Sequence, residues 1–102
     1  RMTAGRAAAE PGPQRRVVTI VNGRGLHARA AAKFVKLAAE FEADVEVAKD
    51  RARVAGSSIM GLMMLAAGPG TRLELCAGGP DAAAALDALV ALVKRKFGED
   101  RE

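Results

Sequence analysis

The spacing of apolar positions along the chain switches between unbroken runs, strict alternation and helical periods, and each switch predicts a change of element. From Val17 to Val21 the run VVTIV is β-branched and almost wholly apolar, which predicts a buried strand. Asn22-Gly23-Arg24-Gly25 ends it in a loop. Over residues 28–41, Ala31, Ala32, Phe34, Val35, Ala38 and Phe41 recur at helical spacing, with Lys33, Lys36 and Glu40 on the remaining surface. Asp44 to Lys49 alternates, Val45 and Val47 against Glu46, as a second strand. Asp50-Arg51 predicts a hairpin into a short third strand through Val54, without the glycine such turns favour. Gly56-Ser57-Ser58 interrupts, residues 58–66 read as a short apolar helix, and Gly68-Pro69-Gly70 stops it. Thr71 to Ala77 sets Leu73 and Leu75 against Arg72 and Glu74, a fourth strand. A last helix runs from Pro80 or Asp81 to about Phe97, with Leu86, Leu89, Val90 and Val93 as its stripe. Lys94-Arg95-Lys96 suits its C-terminal end, where the helix dipole favours cations.

The order βαββαβα predicts an α+β fold. It is an open-faced sandwich, a four-stranded antiparallel sheet with three helices on one face, in which each element buries one side. Residues 1–16 are rich in Ala, Gly, Pro and Arg without a sustained period and read as a disordered extension. Residues 17–98 form the domain and 99–102 a flexible tail. A chain of 102 residues supports a single modest core and no enclosed catalytic cleft. With three aromatic residues in all, that core is aliphatic. No apolar run approaches the roughly 20 residues of a membrane span, and the N-terminus lacks the apolar region of a secretory signal. The lone Cys76 excludes an intramolecular disulfide and suits a reducing compartment, so a cytoplasmic location is expected. Cys76 lies on the Arg72/Glu74 side of its strand and reads as structural.

The net charge of +4 is mostly a property of the first sixteen residues, where four arginines face one glutamate. Within the domain, Arg24, Arg29, Lys33 and Lys36 follow one another with no acid between them. Such a cluster suits an anionic ligand or an acidic partner, and equally a solvated helix face. One histidine and one cysteine make no protein metal site, and neither a metal nor another cofactor is expected.

Candidate chemistry concentrates in Gly25-Leu26-His27-Ala28-Arg29-Ala30-Ala31-Ala32. His27 is the only histidine and sits where a glycine-containing loop enters a helix. A neutral imidazole is a nucleophile that accepts a phosphoryl group on a ring nitrogen. The unpaired amides of the first helical turn, those of Ala28 and Arg29 among them, favour an anion there. Arg29 adds charge-assisted hydrogen bonds to the same place. On the residues alone, an ordinary loop or capping role for His27 stays open. In the short helix, Ile59, Met60, Leu62, Met63, Met64 and Leu65 are too many for one buried stripe. Ile59, Met60 and Met63 then read as a docking patch, or alternatively as extra core. Ser58 before them reads as an N-cap.

The string GLHARAAA closely resembles the active-site signature of the HPr family, the histidine-containing carriers of the phosphoenolpyruvate-dependent phosphotransferase system. Ser57-Ser58-Ile59-Met60-Gly61-Leu62-Met63 resembles that family's regulatory serine motif, and the separation of the two strings is similar as well. Residues 17–97 follow the family's element order. The resemblance implies that His27 is phosphorylated on Nδ1, that Arg29 steadies the phosphohistidine, and that Ser58 is the target of an HPr kinase/phosphorylase. It implies docking through Ile59, Met60 and Met63, and the basic residues Arg24, Lys33 and Lys36 are expected to take part in docking as well. The family most often has proline where this chain has Ala30, and both suit a first helical turn. Alanine there is a slight pointer to the nitrogen-related branch.

The implied protein is a shuttle and not a self-contained enzyme. Neutral His27 takes the group from enzyme I and yields it to a histidine of an enzyme IIA-type protein. Its partners are proteins, with neither nucleic acid nor membrane, and it is expected to be a monomer. Two other classes compete with this reading. A regulatory relative acting only by Ser58-controlled binding has no need of His27 or Arg29. A basic nucleic-acid module lacks aromatic platforms on its predicted strands, and the charge excess lies outside the domain.

Overall fold

The computed structural model describes residues 13–99. Its strands are β1 (Gln14–Thr19), β2 (Asp44–Lys49), β3 (Ala52–Ala55) and β4 (Arg72–Gly78). Its helices, among the described residues, are α1 (Ala28–Ala38), α2 (Ile59–Met64) and α3 (Ala82–Lys94), followed by a short turn at Lys96–Gly98. The strands form one sheet in the order β1-β4-β2-β3, every neighbouring pair antiparallel. Val18, Val45, Val47, Leu73, Leu75 and Ala77 are buried, and Leu86, Leu89 and Val93 of α3 and Phe34 of α1 join them in one core. Burying each Leu or Val contributes roughly 1.5–3 kcal/mol, enough for a core with few aromatics.

On the other side of the sheet the alternation continues as charge. Arg15 pairs with Glu74, and Arg53 reaches Glu46 at 3.1 Å. These solvent-facing pairs add little stability each, but they mark the side that the helices leave open.

Two of the predicted boundaries are corrected at the start of the chain. The first strand begins at Gln14 and ends at Thr19, so residues 14–16 belong to the sheet and not to a disordered extension. Arg15 and Arg16 are accommodated because β1 is an edge strand. Arg15 turns to the open side, and Arg16 bonds Asp87 of α3 at 3.1 Å. Residues 1–12 and 100–102 lie outside the described residues, and the expectations for them with it. The hairpin without glycine is made by Asp50 at φ 54°, a left-handed setting that aspartate tolerates. Both long helices stop earlier than their apolar patterns, α1 at Ala38 and α3 at Lys94, because the last apolar residues Phe41 and Phe97 pack from turns.

The turn after α3 is unusual. Lys96, Phe97 and Gly98 all have positive φ, at 61°, 56° and 78°. A side chain in this region costs about 1–2 kcal/mol per residue. Burial of Phe97, which is 1% exposed, offsets this. So does the bond that Lys33 Nζ donates to the Phe97 carbonyl at 2.7 Å. Lys96 is exposed and lacks such compensation. Lys96→Gly is therefore expected to raise stability by about 1 kcal/mol, read as an increase in the thermal midpoint; an unchanged or lower midpoint would show that the turn is unstrained.

Candidate functional site

The loop after β1 is shaped before His27 is reached. Gly25 has φ 68°, and a Cβ there would stand 2.5 Å from the Ala67 carbonyl oxygen. That oxygen accepts the Leu26 N–H at 2.9 Å, tying the loop to the segment before β4. Asn22 is fully buried, and its amide nitrogen donates to the Gly25 carbonyl at 2.9 Å. His27 then takes the N-cap position of α1 with extended backbone, φ −79° and ψ 179°. Its carbonyl accepts the Ala31 N–H at 2.8 Å, while its side chain makes no capping bond. The ring is free for other chemistry, and the first-turn amides of α1 remain available to an anion.

The ring is only partly open to solvent. Its side chain is 18% exposed, and Nε2 meets Glu99 Oε2 at 2.5 Å. Asn22 donates its second amide hydrogen to the other carboxylate oxygen at 3.3 Å. The Asn22 nitrogen faces two oxygens that only accept, which fixes the orientation of the amide. His27 holds the Glu99 carboxyl below its ordinary value of 4.5, with Asn22 and the charge of Arg24 acting the same way against the cost of burial. A carboxyl lowered in the folded state stabilises the contact above its ordinary value, and the contact is lost only as pH falls through the depressed one. At neutral pH Glu99 is an ionised acceptor, so Nε2 carries the hydrogen and donates it. Nδ1, the nitrogen nearer the backbone, bonds no described residue.

This geometry coincides with a family match over most of the chain. The family model described as PTS HPr component phosphorylation site matches residues 14–95. The chain belongs to the HPr phosphocarrier family. It is 49% identical over 84 residues to the phosphocarrier protein HPr of Cupriavidus necator, covering 82% of this chain and 94% of that one. Against the phosphocarrier protein NPr of Shewanella violacea the identity is 48%, covering 82% and 92%. The crystal structure of HPr from Thermoanaerobacter tengcongensis superposes with a TM-score of 0.81 at 42% identity, over 85% of this chain and 98% of that one. The open-faced sandwich is thus the HPr fold, and the role is that of a phosphoryl carrier of the phosphotransferase system. This decides for the carrier reading over a regulator acting by binding alone and over a nucleic-acid module.

Within the HPr frame the residues singled out from sequence fall into two groups. His27, Ala28 and Arg29 sit together at the start of α1. The Arg29 side chain is exposed and has no hydrogen-bond or ion-pair partner among the described residues. Arg24 and Lys36 are exposed too, whereas Lys33 is engaged with the Phe97 carbonyl. The second group lies on α2. Ser58 caps it, its Oγ accepting the Gly61 N–H at 2.9 Å. Ile59, Met60 and Met63 are exposed while Leu62 and Leu65 are buried, so the crowded helix does divide into a core side and an outer apolar side. Met64, 77% exposed, belongs to the outer side as well.

Sequence reasoning missed Glu99 and Asn22. Glu99 was assigned to a flexible tail, yet it reaches back to His27 because the left-handed turn at Lys96–Gly98 redirects the chain. Asn22 was read only as a loop former. Its one available signal was a polar residue between an apolar strand and a glycine-rich loop, which does not distinguish a turn from a buried bracket. No helix among the described residues is long and apolar enough to cross a membrane.

Proposed function

We propose that Nδ1 of His27 is the atom that carries the phosphoryl group, received from the phosphohistidine of enzyme I and passed to a histidine of an enzyme IIA-type protein. The observation that carries this reading is the placement of the only histidine at the N-cap of α1, with Nε2 occupied by Glu99 and Nδ1 unbonded. A phosphoryl group on Nδ1 lies close to the first-turn amides of Ala28 and Arg29, and the unpaired Arg29 guanidinium is two residues away. Amide N–H groups and a guanidinium are the donors that phosphate oxygens favour. The partner supplies the other half of the site, so no cleft is required. The work is done in the cytoplasm by a monomer.

The test is incubation with phosphoenolpyruvate and enzyme I, followed by intact-mass measurement. One added phosphoryl group that is lost in acid is expected. No uptake by the folded wild type overturns the reading.

Docking is assigned to the outer side of α2, where Ile59, Met60 and Met63 stand exposed, together with the exposed basic residues Arg24, Lys33 and Lys36. Methionine adapts its shape to varied partners, and the basic residues steer acidic ones. Ser58 is proposed as a control point on this side. A phosphate on Ser58 adds close to two negative charges next to the apolar patch. Because the Ser58 oxygen already accepts from the helix amide, an acidic group there remains compatible with α2. Ser58→Asp is therefore expected to load His27 more slowly with little loss of stability. Equal loading rates for the variant and wild type would remove Ser58 from the scheme.

A further inference from the structure

Helix α2 has six residues, far fewer than the roughly 12–15 that hold together alone, so its pose is set by whatever grips it. On the docking reading of α2, we propose that Lys49 is a positioning residue for partner docking. It fixes the last turn of this helix and, through residues 65–67, the placement of the docking side relative to His27.

Lys49 ends β2, and the alternation that buries Val45 and Val47 turns its side chain to the same side of the sheet. A lysine in such a row keeps its stem against apolar surface and needs acceptors for its ammonium beyond it. Nζ donates to the Leu65 carbonyl at 2.9 Å and to the Ala66 carbonyl at 3.3 Å. Both lie at the C-terminal end of α2, where carbonyls lack helical partners and a cation is favoured. Lys49 pairs with no carboxylate among the described residues, so these two carbonyls are what holds it.

The helix end that Lys49 grips is strained. Ala66 has φ 54°, a left-handed angle at the position where helix ends favour glycine. Its N–H still bonds the Met63 carbonyl at 3.1 Å. The next carbonyl, that of Ala67, accepts the Leu26 N–H at 2.9 Å, and His27 follows Leu26. Three consecutive carbonyls are therefore held, two by Lys49 and the third by the loop that carries His27.

The other supports of α2 lie elsewhere along it. Ser58 caps its start, and Gly61 sits so close to β3 that a Cβ there would stand 3.2 Å from Val54 Cβ. Leu62 and Leu65 anchor it by burial, which is not directional. The directed contact from the sheet to its far end is Lys49. A partner exchanging phosphoryl groups with His27 while resting on Met60 and Met63 must meet both at once. A helix that the partner has to order before it can do so is bound more weakly, with the chemistry at Nδ1 unaltered.

The test measures loading of His27 by phosphoenolpyruvate and enzyme I over a range of concentrations of the full chain. Lys49→Met keeps the stem and removes the ammonium. Its KM as phosphoryl acceptor is expected to rise about tenfold with kcat little changed. Lys49→Arg retains a donor cation and is expected to recover most of the loss. Hydrogen exchange at the amides of Ala66 and Leu26 is expected to quicken in Lys49→Met by more than at Ala85 of α3.

The thermal midpoint of Lys49→Met is also expected to fall, because a strained turn loses its support. The double variant Lys49→Met with Ala66→Gly separates the two effects. Glycine takes the left-handed angle without strain, so the midpoint is expected to return toward wild type while KM stays raised. A KM that returns with the midpoint, or that never rose, overturns the role of Lys49, because a merely structural contact behaves in that way. A Lys49→Arg chain as poor in KM as Lys49→Met overturns it as well. Met60→Ser reads the docking assignment itself. A raised KM for Met60→Ser beside a wild-type KM for Lys49→Met sinks this inference alone. A wild-type KM for Met60→Ser sinks it together with docking through α2.

Discussion

A His27→Ala chain is expected to take up no phosphoryl group from phosphoenolpyruvate and enzyme I, while unfolding in one cooperative step close to the wild-type midpoint. The two halves of this result have separate causes. Uptake fails because the chain has no second histidine to serve as nucleophile. The fold persists because α1 is begun by the backbone of residue 27 and not by its side chain, through the bond from Ala31 N–H to the His27 carbonyl. What the variant loses is the contact with Glu99, whose carboxylate keeps the Asn22 amide and the nearby charge of Arg24. A contact of this kind that retains part of its support costs about 1 kcal/mol. For a domain of this size that lowers the thermal midpoint by roughly 4–8 °C. Intact mass and circular dichroism read the two halves on one sample. An acid-labile phosphate on the variant would place the nucleophile elsewhere, and a collapsed midpoint would mean that the ring is part of the core.

Gly25→Ala is expected to do the reverse, damaging the fold first and the chemistry through it. The added Cβ would lie 2.5 Å from the Ala67 carbonyl oxygen and 3.0 Å from the Gly68 Cα, both backbone atoms that cannot swing aside. The left-handed φ of 68° adds its own cost. Relief requires the loop to move off Ala67, which breaks the Leu26 bond and unseats Asn22. A clash of backbone atoms, a strained angle and a buried amide left unpaired together cost about 3 kcal/mol or more. In urea the midpoint should fall by on the order of 1–2 M with an unchanged slope. Gly25→Asn separates the causes. Asparagine tolerates the left-handed angle but carries the same Cβ, so it should lose nearly as much. If asparagine restores wild-type stability, the angle and not the close approach governs this position. Loading of His27 should fall in both variants in proportion to how far the loop is displaced.

The contrast between these variants explains which parts of the molecule were legible in the sequence. Strand β4 and helix α3 announce themselves because their apolar residues repeat with the period of the element, as Leu73 and Leu75 do, or Leu86, Leu89 and Val93. His27 and Arg29 were legible because the chemistry they carry is written in adjacent residues. Strand β1 begins three residues before its β-branched run at Val17, which is the part of it that carries a pattern. The alternation of Gln14 to Arg16 on an edge strand has no apolar signature. Phe41 and Phe97 extended two helical patterns past the helices themselves, since burial in a turn and burial in a helix look alike in one dimension. Glu99 was out of reach for a different reason. It meets His27 across 72 positions of chain, by way of three consecutive positive φ angles of which only Gly98 gives any hint. A contact of that kind is fixed by tertiary packing and leaves no period or motif behind.

The strand order β1-β4-β2-β3 has a kinetic consequence. The hairpin of β2 and β3 closes over two residues and can form early and locally. Among the four described strands β1 is the earliest in the chain, yet the described strand it pairs with is β4, the last of them, so its docking must wait for the longest loop closure between them. Until then its apolar residues, Val17, Val18 and the adjoining Ile20 and Val21, are open to strands of other molecules. Arg15 and Arg16 stand at the head of this segment in the unfolded chain, where like charges on neighbouring copies repel one another. The same two arginines that fasten the edge of the finished sheet thus serve earlier as guards against aggregation, during the interval in which this strand has no partner.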